Sequence, residues 1–322
     1  MLLLPSEPKS ALGSELGTYL GLSAVLLGMV LLFSLLSDFF FSVETFVTIA
    51  NEIPALLVMA IGMTFVLIIA GIDLSVGSVL ALSAAVAANA ILQWQWPVPA
   101  AAALGLATGL VCGAITGAVS VAWRLPSFIV SLGMLEAVRG SAFLVTGSRT
   151  QYVGDAISGL SKPWLGGISV AFVLALALVV LAHVVLTRTV FGRYAIGIGT
   201  NEEAMRLAGI DPRPIRIAIF AATGLLAGLA GLMQSARLEA ADPNAGTGIE
   251  LQVIAAVVIG GTSLMGGRGS VINTLFGVLI IAVLEAGLAQ VGASDPTKRI
   301  ITGAVIVVAV IVDTLRKKKH DN

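Results

Sequence analysis

Three polar or glycine-rich islands break an otherwise apolar chain, and they are where chemistry is possible. The first is Gly71-Ile-Asp-Leu-Ser-Val-Gly-Ser78. Its carboxylate, Asp73, lies so near two apolar runs that it must be hydrated or hydrogen-bonded. Asp73 and Ser75 can cap the next helix through side-chain oxygens; a gate or path that also uses Gly77 is the alternative. The second island is Gly260-Gly-Thr-Ser-Leu-Met-Gly-Gly-Arg-Gly-Ser270. Such backbone is tolerated at membrane depth only where protein or water covers it. It reads as a sharp turn, or as a break in a helix beside a translocation path, with Thr262, Ser263, Gly266 and Gly267 in play. The third is Thr200-Asn-Glu-Glu-Ala-Met-Arg-Leu-Ala-Gly-Ile210, a short amphipathic helix. Asn201 is its N-cap, Glu202 and Glu203 suit its first turn, and Gly209 suits its stop. Ala204, Leu207 and Ala208 form one apolar face, with Glu203 and Arg206 turned away. So short a helix is marginal alone. Its acidic residues disfavour an anionic leaflet, and a partner's groove suits it better.

Other titratable groups are few. Glu136 and Arg139 are spaced to neutralise each other on one helix face. Glu285, deep in an apolar run, is either a path residue or a bond to a neighbouring helix. His183, near the end of its run, reads as a hydrogen-bonded interfacial histidine. Cys112 packs as a small hydrophobe and has no disulfide partner. Asn89, Gln234 and Asn273 could bond solute hydroxyls or other helices. No Lys follows a Gly, so the G-x-x-x-x-G-K-[ST] phosphate loop is absent. No G-x-S-x-G elbow or H-E-x-x-H occurs, and His183 and His320 are far apart. The expectation is a chain that is no enzyme and itself binds no nucleotide, metal or other cofactor.

The elements that position these groups follow from composition. The 322 residues are 57% hydrophobic and 11% charged, against about 25% charged in soluble domains. Mean hydropathy is +1.02. Eighteen Lys/Arg balance eighteen Asp/Glu. This excludes a soluble enzyme, a disordered chain and a nucleic-acid partner, and predicts an all-α polytopic membrane protein in the lipid bilayer. About ten apolar runs could span it: 18–36, 52–70, 74–92, 99–122, 126–146, 167–187, 215–234, 250–265, 271–291 and 299–315. The eighth is short and glycine-flanked, so a break or re-entrant turn is expected there. Residues 1–17 form an N-terminal cytoplasmic segment, 18–315 the membrane domain with a long cytoplasmic loop at 188–214, and 316–322 a basic cytoplasmic tail. With both termini inside, twelve Lys/Arg fall on the cytoplasmic side and five outside, as the positive-inside rule requires. Gly105, Gly109, Gly113 and Gly117 make a tandem small-residue ridge, and Gly224, Gly228 and Gly231 a second; both read as close helix contacts. Trp94 and Trp96 precede Pro97 at a membrane boundary.

The islands at 71–78, 260–270 and 199–210, with Ala240-Ala-Asp-Pro-Asn-Ala-Gly-Thr-Gly-Ile-Glu250, resemble the permease subunit of ribose/galactose/xylose-type ABC sugar importers. The resemblance runs from about residue 45 to 313 and also fits the span count. The Ile-x-Leu-Pro of the broader importer coupling loop is missing after Gly209. The resemblance implies a second permease subunit, identical or related, and a cytoplasmic ATP-binding subunit that uses ATP and Mg²⁺ and grips the 199–210 loop. It also implies a periplasmic or lipid-anchored sugar-binding protein, in a bacterial inner membrane. Arg149 and Arg237 are candidate docking residues for that protein. The other readings are an ion-coupled transporter using Glu285 or Asp73, a permease for nucleosides or branched-chain amino acids, and, remotely, an intramembrane enzyme.

Overall fold

The computed structural model describes residues 9–294, 296–305 and 307–308. The basic tail at 316–322 and the first eight residues lie outside the described residues.

Twelve helices dominate: α1 (Lys9–Leu36), α2 (Val43–Glu52), α3 (Pro54–Ile68), α4 (Val76–Leu92), α5 (Val98–Ala122), α6 (Ser127–Thr146), α7 (Val170–Arg188), α8 (Val190–Thr200), α9 (Glu202–Leu207), α10 (Pro212–Leu238), α11 (Ile249–Ile259) and α12 (Val271–Gln290). A further helical stretch occupies 296–305. Among the described residues six helices are long and apolar enough to cross a membrane, and α2 with α3, bent by 49° at their junction, passes the same test as a pair. The bend has an identifiable cause: Pro54 opens α3, which removes one backbone donor at the junction. The apolar helices α4 and α11 are shorter than a full span.

All fifteen residues of α3 are buried, as expected of a helix that is apolar on every side. Around it pack α7, α10, α11 and α12, while α1, α5, α6 and α7 keep long exposed apolar faces. The two glycine ridges meet. The backbone of α10 at Phe220 and Gly224 lies against Gly113 and Gly109, and Gly231 faces the Leu80 carbonyl of α4. A side chain at any of these contacts would drive backbone from backbone, and such close approach is what holds helices together where lipid removes the hydrophobic incentive.

The residues between α6 and α7 contain what composition did not reveal. A 3-10 helix (Gly154–Leu160) is followed by a β2–β3 hairpin (Pro163–Leu165, Ile168–Ser169), and β1 (Gln151–Tyr152) pairs antiparallel with β4 (Ala240–Ala241). Asn51 of α2 clamps the hairpin, donating to the Gly167 carbonyl at 2.9 Å and accepting from the Ser169 amide at 2.8 Å. We refer to this as the hairpin end of the bundle.

Several expectations are corrected. α2 was absent from the ten runs: its Glu44, Thr45, Thr48 and Glu52 hid a helix whose N-cap is Ser42. Segment 188–214 is mostly helix, because α8 continues from α7 after a break at Thr189, whose hydroxyl caps the Gly192 amide at 3.2 Å. The eighth run, 250–265, is helical only to Ile259, with non-helical backbone at 242–248 before α11 and the turn at 260–270 after it. Arg139 does not pair with Glu136; among the described residues it donates to the Pro243 and Ala245 carbonyls, each at 2.7 Å. Its guanidinium thus satisfies the non-helical backbone ahead of α11. The His183 Nδ1 is buried with no hydrogen-bond partner among the described residues.

Candidate functional site

At the end opposite the hairpin, the second and third islands converge on the end of α3, just ahead of the first island. The Gly267 amide donates to the Ile68 carbonyl at 2.8 Å, joining the second island to the end of α3. Gly199, at the end of α8, sits against that same carbonyl and the Gly267 amide so closely that a Cβ has no room. Gly266 lies against Ala70 and the Gly199 carbonyl, and Gly267 against Thr200. Four chain segments therefore meet backbone to backbone: the end of α3, the end of α8, the α11–α12 turn and, through Thr200, the start of α9.

The island at 260–270 is a tight turn. The Ser263 amide donates to the Arg268 carbonyl at 3.0 Å, and the Ser263 hydroxyl accepts from the Met265 amide at 3.2 Å. The Thr262 hydroxyl is buried without a partner among the described residues. The turn pushes Met265 outward, 83% exposed, beside the partly exposed Leu264.

The α9 helix forms as its residues predict. Asn201 Oδ1 accepts from the Ala204 amide at 2.9 Å. The stop is a Schellman pair: Gly209 N–H donates to Arg206 at 2.9 Å and Ile210 N–H to Met205 at 3.0 Å. Gly209 has φ +82° and open space around it, so its requirement is backbone conformation. Met205 packs inward against Gly197, while Leu207 is 83% exposed with Glu203, Ala204 and Ala208 also outward. Glu202 has a role the spacing did not show. Its two oxygens accept from Arg206 at 2.6 Å and from Arg216 of α10 at 2.7 Å. Arg216, missed in the sequence, ties α9 to α10.

Asp73 is buried, and it is not the helix N-cap. Its Oδ1 accepts from the Ser75 amide at 2.9 Å and the Ser75 hydroxyl at 2.6 Å, an Asx turn ahead of α4. Ser75 is the N-cap residue but makes no side-chain cap. The extended backbone is satisfied from α6: Ser127 Oγ accepts from Ile72 N–H at 2.9 Å and Ser131 Oγ from Leu74 N–H at 3.0 Å. Neither serine stood out by spacing. A second Asx turn, Asp242 Oδ1 to the Asn244 amide at 2.8 Å, precedes α11. The two short helices begin side by side, with the backbones of Gly77 and Gly246 in contact and Glu250 against Gly77.

The remaining candidates are scattered. Glu285 Oε1 accepts from Gln252 of α11 at 2.7 Å, and both line a cavity nearer the hairpin end, together with Gln234. Arg237 donates to Glu52 at 3.2 Å at the mouth of that cavity. Arg149 is exposed and in no ion pair among the described residues. Asn89 is in the last turn of α4 and Asn273 in the first turn of α12, and neither lines the cavity that Gln234 lines.

Residues 45–310 match the family model described as branched-chain amino acid transport system / permease component. The chain is 39% identical over 297 residues to the ribose import permease protein of Escherichia coli K12, covering 91% of this chain and 92% of that one. It is 38% identical to the ribose import permease protein of Bacillus subtilis, covering 94% and 93%. It is 33% identical to the fructose import permease protein of Rhizobium meliloti, covering 92% and 85%. No solved structure matches.

Proposed function

This chain belongs to the branched-chain amino acid transport system / permease component family as the membrane-spanning permease subunit of an ABC importer, and we propose that its cargo is a monosaccharide moved by alternating access. It is a multi-pass transport subunit and not an enzyme, working with an ATP-binding subunit and a substrate-binding protein. The similarity to ribose and fructose import permeases over nine-tenths of the chain carries the sugar reading, ahead of nucleosides, branched-chain amino acids or ion-coupled transport.

In the bacterial inner membrane the crossings are α1, α2–α3, α4, α5, α6, α7, α10, α11, α12 and the helical stretch that begins at 296. That order matches the ten apolar runs, and the twelve-to-five distribution of basic residues favours cytoplasmic termini. The hairpin end then faces outward, and α9 and the 260–270 turn face the cytoplasm. A second permease, identical or related, completes the path, and a periplasmic or lipid-anchored protein delivers the sugar. ATP and Mg²⁺ act in the partner subunit, and this chain binds no cofactor.

Coupling runs through α9. Leu207, Ala204 and Glu203 present the face seated in the ATP-binding subunit, and Asn201 and Gly209 hold the helix ends. Glu202 and Arg206 brace it to α10 through Arg216. Movement of α9 reaches Thr200 and the Gly199–Ile68–Gly267 knot, and from there the ends of α3 and α11. Asp73, Ser75, Gly77, Thr262, Ser263, Gly266 and Gly267 are thus gate and transmission residues. Purification from native membranes in mild detergent tests this reading. A stoichiometric ATP-binding protein should co-purify with a second permease chain. A chain that comes down alone and still moves sugar without ATP would overturn it.

At the outer face, Arg149 is free to meet an acidic patch on the binding protein, and Arg237 can do so by exchanging Glu52 for a partner carboxylate. Arg149→Glu should slow delivery about tenfold at low salt and less at high salt, because exposed charges are screened over ~8–10 Å. Equal uptake from wild type and variant at low salt would remove Arg149 from the docking surface.

A further inference from the structure

We infer that the cavity above the start of α11 is a binding site for a neutral monosaccharide within a single permease protomer, entered from the outer side. This rests on the sugar-importer reading and on the orientation given with it.

The cavity exists because α11 is short. Its 11 residues span about 16 Å at ~1.5 Å per residue, roughly half of a ~30 Å hydrocarbon core. The chain descends to the start of α11 from Ala241, which packs with Ala88 near the far end of α4, to Gly246, which touches Gly77 near the start of α4. The outer half of the α11 column is therefore empty of helix. A cavity of ≈ 230 Å³ occupies it, bounded by the α2–α3 bend, α10, α12 and the first turn of α11. That is below the ~300–1,000 Å³ of sites for drug-sized ligands and suits one small sugar.

Its polar groups stand in two layers. The Glu52–Arg237 pair, 3.2 Å apart with both side chains about half exposed, lies at the mouth. Deeper, Gln252 holds Glu285 at 2.7 Å, and the Gln234 amide joins them on the wall. Each amide offers donors and an acceptor, and a carboxylate has about four lone-pair sites, of which the Gln252 bond takes one. Glu285 can accordingly accept from neighbouring hydroxyls of a sugar while the amides supply donors to ring oxygens. Ala282 provides an apolar surface for the C–H face. With Glu52 paired to Arg237, Glu285 gives the wall a net negative charge, which disfavours an anionic solute.

The experiment uses the assembled transporter in sealed right-side-out vesicles, with Ala282→Cys in a Cys112→Ala background. Ala55→Cys, also on the cavity wall, serves as a second reporter if the first fails to fold. An impermeant thiol reagent is added outside with ribose, xylose, galactose, fructose or leucine, and ATP-driven uptake of each sugar is measured in the same vesicles. A transported sugar at ten times its Kd should slow labelling about elevenfold, by 1 + [L]/Kd, and leucine should leave it unchanged. Glu285→Leu should abolish that protection while the cysteine still labels. Sugar uptake with labelling that no sugar slows, or with no labelling at all, would overturn the site and leave the importer reading standing. Absence of ATP-driven uptake of any sugar would overturn the importer reading itself.

Discussion

Gly199→Ala is expected to reduce ATP-driven sugar uptake about 100-fold, more than any substitution at Gly209, although both glycines flank the same short helix. At Gly199 the added methyl meets backbone: the Ile68 carbonyl and the Gly267 amide, which are themselves hydrogen-bonded at 2.8 Å. Neither can swing aside as a side-chain tip could, so α8 must part from the α3–turn contact. Overpacking costs about 1–3 kcal/mol and the lost hydrogen bond about 1 kcal/mol. A net effect near 3 kcal/mol is a factor of about 100 in the population of the closed knot. Gly209 makes a different demand. Nothing stands within contact distance of a Cβ there, but φ is +82°. Its substitutions should therefore rank by tolerance of left-handed backbone: Asn retains most uptake, Ala costs about 1 kcal/mol, and β-branched Val costs more. Uptake normalised to inserted protein, with insertion checked by size-exclusion profile, reads both series. Near-normal uptake in Gly199→Ala, or Gly209→Asn failing as badly as Gly209→Val, would break the assignment of one glycine to space and the other to conformation.

The same contrast shows what the chain's letters reveal and what they hide. Helix-to-helix contact was legible because it is periodic: glycines every fourth residue on α5 and a second ridge on α10 name their own interface. The cap and stop of α9 were legible because Asn201 and Gly209 act within a few residues of themselves. Non-periodic satisfaction of backbone was not legible. Arg139 looks like the i,i+3 partner of Glu136, yet two carbonyls ahead of α11 claim it, since unpaired backbone at membrane depth costs more than a solvated pair gains. For the same reason Ser127 and Ser131 serve the extended stretch at 71–75, and nothing in α6 announces it. The break around α11 was sensed from its glycines, with no side of the helix singled out. The turn at 260–270 carries most of the glycine, whereas the true descent at 242–248 is stabilised by Asp242, Arg139 and the Gly77 contact. The convergence of two islands on the end of α3 is a tertiary fact that neither island contains.

Leu207→Asp combined with Met265→Asp should release the ATP-binding subunit, and each substitution alone should weaken it partially. Both side chains are 83% exposed on the face assigned to the cytoplasm. Leu207 projects from α9. Met265 projects from the turn that the Gly267–Ile68 bond holds at the opposite edge of the knot. An importer gains nothing by showing two large apolar side chains to water, so the economical reading is one bipartite surface closed by one partner. Burying a Leu or Met side chain is worth about 1.5–3 kcal/mol, so losing both lowers affinity roughly a thousandfold, and a buried unpaired carboxylate adds to that. Co-purification of the ATP-binding subunit across a detergent and salt series reads the effect, and neither position packs in the core whose loss would unfold the bundle. The two-point attachment matters for mechanism. A partner that held α9 alone would reach the bundle only through Thr200 and the Glu202–Arg216 pair. Held also at Met265, α9 and the end of α11 must move as one, and the closing stroke reaches both the α3 end and the short helix beneath the outer cavity. Full retention of the partner by Met265→Asp would reduce the attachment to α9 and require the stroke to pass through Glu202 and Arg216 into α10 instead.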